Sequence, residues 1–458
     1  MEKGNKKIIR GWVMYDWANS VYNLVISSAI FPIFYDNITT NQFIDKKFGG
    51  SQELYDQAVK LDPDLSVTVN FFGTELSNSV LMSFVLSASF LVVTILSPML
   101  SGIADFSGSK KRFMQFFCYL GALSCMTLYW FNTDSLELGM LSIFLASIGF
   151  WNSLVFYNAY LPEIAEPKDH DKISARGFSL GYFGAMILLI LCLVWIQVFD
   201  GDVKWCFVGV GVWWLAFSQI TYRVLPNNVY KRKKESGIIW KGFKELRTVF
   251  KEFKGIKSLK RFLLSFFFFN TGVQTVMLMA TLFAKKEIIW PINEATGKPD
   301  DSGLIIAILL IQILGAVGAF TMSRLSRVMG NIKTLGLSVS IWILICGAAY
   351  VVTTPVQFYL LACGVGLVMG GVQALSRSTY SKMLPQTKDH ASYFSFYDST
   401  EKIGIVVGTL SFGLFEAIFG SIRYSVIAVA IFFIIGFFLL FLIPKMKSEN
   451  EDEEVKPA

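Results

Sequence analysis

Asp398, Glu401 and Lys402 stand close together in one long apolar stretch, and Asp16 stands in another. Charge inside hydrocarbon is costly, so such residues mark solute paths, proton relays or ion pairs. Asp398 and Lys402 are four apart with the acid first, which puts them on one helix face where they can pair. Glu401 is three from Asp398 and points roughly the same way. A carboxylate beside a cation and a half-dry cavity exchanges protons as the cavity opens. The same three residues equally read as an ion pair tying their helix to its neighbours. Asp16 has no Lys or Arg within the apolar part of its own stretch, which makes its carboxylate the first candidate for a coupling proton.

The elements that hold these charges are long. Of 458 residues, 53% are hydrophobic and only 16% charged, against about a quarter charged in a soluble protein of this size. Phe alone contributes 42 residues. Apolar runs exceed 18 residues repeatedly, enough to cross a hydrocarbon core of about 30 Å. The pattern predicts twelve spans, near 11–35, 79–101, 113–131, 136–161, 176–198 and 205–222, then near 262–284, 303–322, 334–353, 356–380, 392–418 and 422–443. The expected architecture is an all-α membrane protein of two pseudo-symmetric six-helix bundles. Residues 1–222 form the first bundle, 223–260 a linker, 261–443 the second bundle and 444–458 an acidic tail. No cleavable leader is visible, because the first span runs long and lacks a small-residue cleavage site.

Two short segments carry the duplication. Gly102, Asp105, Gly108 and the basic cluster Lys110, Lys111 and Arg112 lie between spans two and three. A weaker echo, Arg324, Arg327, Gly330 and Lys333, lies between spans eight and nine. Span four ends at Pro162 before Lys168-Asp169-His170, and span ten ends before Pro385 and Lys388-Asp389-His390. Proline stops one helix and Asp caps the next. The two His residues therefore read as parts of capped turns rather than metal ligands.

Lys and Arg fall about four to one on the side that holds both termini, so both termini are expected in the cytoplasm. The net charge of +7 then reports topology, and no basic soluble surface suggests nucleic acid as a partner. Six cysteines lie in or beside apolar spans and read as small core residues. The linker opens on Lys231-Arg232-Lys233-Lys234. Apolar residues then recur at helical spacing from Ile239 to Ile256 with basic residues between them, as in a helix lying on the inner membrane surface. Residues 36–78 read as the longest outside loop, mixed and polar, with a short helix near 52–60. Gly366, Gly370 and Gly371 have the spacing of close helix packing.

The Gly102–Arg112 segment resembles the signature between spans two and three of the major facilitator superfamily. Tyr15-Asp16-Trp17-Ala18-Asn19-Ser20, Phe156 to Pro162, Ser174 to Phe178 and Gly370 to Ser378 narrow the resemblance to its vacuole-effluxer-like branch, whose fungal members export amino acids from the vacuole. The resemblance covers nearly the whole chain. It implies that Gly102, Asp105, Gly108, Lys110, Lys111 and Arg112 form a gating motif, with Asp105 facing the start of span eleven. It also implies that spans one, four, seven and ten line a central cavity. Asn19, Tyr22, Asn23, Asn158, Asn270, Thr271, Gln274 and Gln373 are then candidate solute contacts, with Arg377 at the inner end of span ten. Relatives often carry an acid where this chain has Thr271, beside Gly272, so a coupling role at that position is in doubt.

No nucleotide-binding segment, metal-ligand spacing or nucleophile–base pair is present in the sequence. The expected function is therefore secondary transport of a small polar solute by alternating access, with protons as the coupling ion. An amino acid is the first candidate, and sugars, peptides or cell-wall fragments are alternatives. A monomer in the bacterial cell membrane, without cofactor, is expected. A membrane-embedded enzyme is disfavoured by outer loops without His or Cys. A non-transporting sensor is disfavoured by the intact gating motif.

Overall fold

The computed structural model describes residues 3–62, 65–230, 238–291 and 302–444. The basic run at 231–234 and the acidic tail beyond 444 lie outside the described residues.

Backbone N–H and C=O groups find no water in hydrocarbon, so every apolar run becomes a helix that satisfies its own bonds. The first span is α1 (Lys6–Val21), a π-helical stretch (Tyr22–Ala29) and α2 (Ile30–Phe48) in one continuous rod. A short helix α3 (Gln52–Leu61) and a hairpin of β1 (Thr68–Phe71) and β2 (Thr74–Ser77) follow. Next come α4 (Asn78–Ser107), α5 (Lys110–Thr127), α6 (Leu136–Asn158), the single turn α7 (Leu161–Ile164), α8 (His170–Gln197) and α9 (Lys204–Val224). The linker helix is α10 (Ile238–Gly255). The second half consists of α11 (Lys257–Glu287), α12 (Ser302–Met329), α13 (Asn331–Ala349), α14 (Pro355–Met383), α15 (His390–Phe419) and α16 (Ile422–Phe441).

Twelve long rods among the described residues thus form two sets of six. Among the described residues, nine clear the length and hydropathy a membrane span needs on composition alone. The rest are α5, which opens on three cations, the Trp-rich α9, and α15, which carries Asp398, Glu401 and Lys402 inside it.

Several sequence expectations need correction. The helix of span one continues past residue 35. It runs to Phe48, where Gly49 closes it with a left-handed φ of 59°, so the outside segment is shorter than 36–78 and contains ordered strands. Both short motifs are mostly helix: Gly102–Ser107 belongs to α4 and Arg324–Met329 to α12, with Gly108 and Gly330 at positive φ making the breaks. Asp169 and Asp389 occupy N-cap positions, yet neither side chain caps its helix. The linker helix does not simply lie on the membrane. Its Gly242 backbone meets α4, where a Cβ on Gly102 would sit 2.5 Å from the Gly242 carbonyl oxygen, and its Phe253 ring lies 5.2 Å from Phe396 of α15.

Small residues set the tightest approach within the second half. A Cβ on Gly366 would stand 2.7 Å from the Ile311 carbonyl oxygen, so α14 reaches the α12 backbone only because no side chain intervenes. The halves meet through α4 against α15, and through α8 against α12 and α14. Their polar cross-links concentrate toward the end that carries the basic loops, called here the basic end. A large cavity lies on the other side of those links.

Candidate functional site: a central cavity above two polar clasps

Between the halves lies a partly open cavity with about 1520 Å³ of empty space, open solvent included. It is lined from Asp16 and Arg377 near the basic end to Leu304 and Phe358 toward the far end. Of the sequence-derived candidates, Asp16, Asn19 and Asn23 face it from the first rod and Asn158 from α6. Asn270 and Gln274 face it from α11, Gln373 and Arg377 from α14, and Glu401 from α15. The remaining wall is largely apolar, including Leu24, Ile308 and Met369, as is usual for solute sites with a few placed polar groups.

Four candidates do not line it. Tyr22 lies 240° around a regular helix from Asp16, off the Asp16–Asn19–Asn23 face. Its ring packs 4.6 Å from Phe150 and 6.0 Å from Trp214 instead. Thr271 is one residue past Asn270, about 100° away; it donates to the Phe267 carbonyl at 2.6 Å and packs toward Gly404 of α15. Asp398 and Lys402 sit behind the wall.

Asp16 has no cation within its own span, yet it does not stand alone. Arg377 reaches across from the other half and grips it: Nη2 lies 3.0 Å from Oδ2 and Nη1 3.4 Å from Oδ1. The same guanidinium donates from Nε to Ser174 Oγ at 2.9 Å, from Nη2 to the Ser174 carbonyl at 3.0 Å and from Nη1 to Asn158 Oδ1 at 3.4 Å. Tyr157 Oη donates to Asp16 Oδ2 at 2.8 Å. The Arg377 plane stacks on Phe178, 4.2 Å from the ring centroid, and lies 4.9 Å from Trp12. Both ions are buried at the cavity floor, where a charge survives only if paired and hydrogen-bonded. Gly177 permits the pair, since a Cβ there would collide with the Asp16 carboxylate.

Two amides that line the cavity from opposite halves are unmet. Asn19 Nδ2 and Asn270 Nδ2 are buried and have no hydrogen-bond partner among the described residues. A buried amide donor left unpaired costs about 1–3 kcal/mol, so both are placed to donate to an incoming acceptor. The π-helical stretch begins three residues after Asn19. It shifts the helix register inside the cavity wall, and such turns frequently sit at functional sites.

Behind the wall, Lys402 Nζ lies 2.7 Å from Asp398 Oδ1 and 2.9 Å from Glu401 Oε2, and 3.5 Å from the Trp151 ring centroid of the opposite half. Ser97 of α4 donates to Asn152 at 2.9 Å and reaches Asp398 Oδ2 at 3.4 Å. Glu401 Oε1 accepts from Gln274 Nε2 at 2.8 Å. The cluster is therefore two carboxylates on one fully buried cation, and its Glu401 touches the cavity.

Below the floor, the basic end is clasped twice. Asp105 accepts from the Ser392 backbone N–H at 2.7 Å, from Ser392 Oγ at 2.9 Å and from the Ala391 N–H at 3.2 Å. The orphan N–H groups and positive dipole end of α15 are thus capped by a carboxylate from the other half. Lys110 pairs with Glu163 and stands 3.6 Å from Asp105, while His390 Nδ1 lies 3.2 Å from Glu163 Oε1. Lys111 donates to the Leu225 carbonyl at 2.9 Å. The second clasp reverses the polarity. Here the acid is Asp171 at the start of α8, and it receives Asn331 Nδ2 at 2.8 Å, Ser326 Oγ at 3.0 Å and Lys382 Nζ at 2.6 Å. The weaker motif thus supplies the donors and the opposite half supplies the charge.

Sequence reasoning missed Tyr157, Ser174, Glu163, Asp171, Asn331 and Lys382. Tyr157 and Ser174 lie inside the quoted segments, yet nothing in their types announces contact with Asp16, 141 positions away, or with Arg377, 203 positions away. Asp171 follows His170 directly, and a search for an acid to complement the acid-free second motif would have found it.

Two expected results test the clasps. Asp105→Asn keeps the shape and removes the charge; a charge-assisted hydrogen bond is worth about 1.5–3 kcal/mol, so initial solute flux should fall at least about tenfold while folded protein persists. Unchanged initial rates would remove Asp105 from the gate. For the second clasp, Asp171→Asn should impair flux comparably, and adding Asn331→Asp should restore it, because Lys382 lies 3.1 Å from Asn331 Oδ1 and serves a carboxylate in either place. Flux in the swapped double variant no better than in Asp171→Asn alone would show that a carboxylate on either side of Lys382 is not what closes this contact.

Comparison with known proteins agrees with this geometry. Residues 4–453 match the model of the family described as vacuole effluxer Atg22 like. The uncharacterized MFS-type transporter YxiO of Bacillus subtilis is 27% identical over 99% of this chain and 99% of its own length. Autophagy-related protein 22 of Eremothecium gossypii is 24% identical over 96% of this chain and 90% of its own. Among solved structures, the human organic anion transporter MFSD10 (TETRAN) superposes with a TM-score of 0.71 at 12% identity, covering 96% of this chain and 100% of that one. The transporter FucP in its outward conformation superposes with a TM-score of 0.60 at 12% identity, over 97% and 99% of the two chains. These relatives are transporters and effluxers, not enzymes. With twelve rods in two matched sets of six around a central cavity, the chain is a multi-pass membrane transporter of the major facilitator fold and belongs to the vacuole effluxer Atg22-like family.

Proposed function

We propose that the protein moves a small zwitterionic solute, an amino acid or a close relative, by alternating access and with proton coupling. The observation that carries this is the Asp16–Arg377 pair: one acid and one cation, from opposite halves, at the floor of the cavity. A solute carboxylate competes for Arg377 and a solute ammonium competes for Asp16. Asn19 and Asn270 supply the free donors that hold a carboxylate, and the apolar wall takes the side chain. A solute that takes over both charges loosens the cross-link between the halves at the moment of binding. Binding and opening of the basic end are then one event, as alternating access about a midplane site requires.

The coupling proton belongs on the α15 cluster rather than on Asp16. Asp16 is balanced one to one by Arg377, whereas Asp398 and Glu401 share a single Lys402. One proton neutralises that excess, and Glu401 is the member that reaches the cavity. The basic end is the cytoplasmic face of a bacterial cell membrane in this reading, supported by the excess of Lys and Arg there, and the transporter acts as a monomer.

A thermal-shift screen of purified protein tests the solute class. A ligand present at 100 times its Kd adds about 2.7 kcal/mol of stability. Amino acids should raise the unfolding temperature of the native protein and leave Arg377→Ala unmoved. Stabilisation by neutral sugars or nucleosides, with no response to any amino acid, overturns the zwitterion reading.

A further inference from the structure

The linker helix α10 carries two stripes on roughly opposite faces. Gly242, Leu246, Val249 and Phe253 recur at i, i+4, i+7 and i+11. They face the protein: a Cβ on Gly242 would meet the Ile103 backbone at 2.8 Å, Val249 is buried, and Phe253 lies against Phe396. Tyr393 of α15 also donates to Glu252 at 3.4 Å. The helix therefore spans the seam between α4 of one half and α15 of the other, beside the Asp105–Ser392 clasp. Gly102 of the gating motif is explained by this seat, since any side chain there would displace the linker.

The second stripe is Trp240, Lys244, Arg247, Lys251 and Lys254, at i, i+4, i+7, i+11 and i+14. All five are exposed, and Trp240 is 82% exposed. Four cations and an indole share one face with no acid among them. The helix ends two residues before α11 begins its climb through the bundle at Lys257, which holds α10 at the level of the headgroups. A row of cations with a Trp at its end is complementary to an anionic lipid surface.

We propose that the Lys244–Arg247–Lys251–Lys254 face binds anionic phospholipid headgroups, and that this binding holds α10 across α4 and α15 and so favours the closed basic-end gate. The conformational half of this statement rests on the alternating-access reading above. Both stripes are satisfied together only while the helix is seated. Opening the gate parts α4 from α15 and takes one anchor away, so lipid that fixes α10 weights the balance toward closure.

The test uses the full chain in nanodiscs of pure phosphatidylcholine or of phosphatidylcholine with three-tenths phosphatidylglycerol. Native mass spectrometry counts retained phosphatidylglycerol. Spin labels on Lys168→Cys and Lys388→Cys, exposed residues of opposite halves, report the gate distance. The native stripe should retain phosphatidylglycerol and show a closed-to-open ratio at least threefold higher in the anionic discs. The variant Lys244→Gln/Arg247→Gln/Lys251→Gln/Lys254→Gln changes only exposed side chains and should lose both responses. Where the fourfold change lowers yield, Lys244→Gln/Lys251→Gln should at least halve each response. Equal lipid retention by native and variant protein overturns the site, and a gate ratio indifferent to lipid charge overturns its link to the gate. A label distance that never changes with solute, pH or lipid sinks the alternating-access reading instead, while the lipid counts still decide the site.

Discussion

Arg377→Ala should reduce solute accumulation to background, a loss of at least about a hundredfold, equivalent to about 2.7 kcal/mol or more. The guanidinium makes three kinds of contact at once: a fork onto Asp16, a pair of bonds to Ser174 and a stack on Phe178. Arg377→Lys keeps the charge but not the fork or the stack, so it should lose at least about tenfold. Removing the cation alone also strands Asp16 at the cavity floor, and breaking a buried pair typically costs about 3–5 kcal/mol of stability. The double variant Asp16→Ala/Arg377→Ala strands nothing and should recover most of the lost stability without recovering transport. Stability and transport returning together in the double variant would reduce the pair to a scaffold. Measured unfolding temperature in detergent and counterflow of labelled solute in vesicles separate the two.

The second large effect is expected behind the cavity wall. Lys402 is fully buried between Asp398 and Glu401 and against Trp151. Lys402→Ala leaves two carboxylates facing each other without a cation, and should destabilise by about 3–5 kcal/mol. Adding Asp398→Ala removes one of them and leaves Glu401 with its Gln274 hydrogen bond, so the double variant should be the more stable of the two. If the cluster also carries the coupling proton, the double variant folds yet fails to accumulate solute against a gradient. A stable double variant that accumulates normally makes the pair structural. Harmless single variants would mean that Lys402 is not the cation that compensates Asp398.

The sequence made the long apolar runs and the charged positions inside them legible, because each follows from local rules: run length, hydropathy, and the cost of charge in hydrocarbon. Helix-face arithmetic likewise brings Asp398 and Lys402 together and places Asn270 and Gln274 side by side. It failed where an answer depended on a partner far along the chain. Asp16 reads as a lone acid because its cation lies 361 positions away on α14. The second motif reads as a degraded copy because its acid resides on α8. Tyr22 and Thr271 have polar types that suit a cavity, although helical phase turns both away from it. The linker's amphipathic spacing was visible, but the spacing alone cannot distinguish an apolar stripe facing lipid from one seated on α4 and α15. Local periodicity fixes which residues share a face; which partner covers that face is a tertiary property.

The central claim is that solute takes over an ion pair shared by two rocking halves, with protons supplying the drive. Its most direct test is accumulation of labelled amino acids by tight proteoliposomes of the purified protein under an imposed pH gradient, applied in either sense. The account predicts accumulation above the equilibrium level for at least one zwitterionic amino acid, collapse on adding a protonophore, and none with Arg377→Ala. Folded protein in tight vesicles that accumulates no amino acid under either gradient, or whose Arg377→Ala variant accumulates as the native protein does, would contradict it.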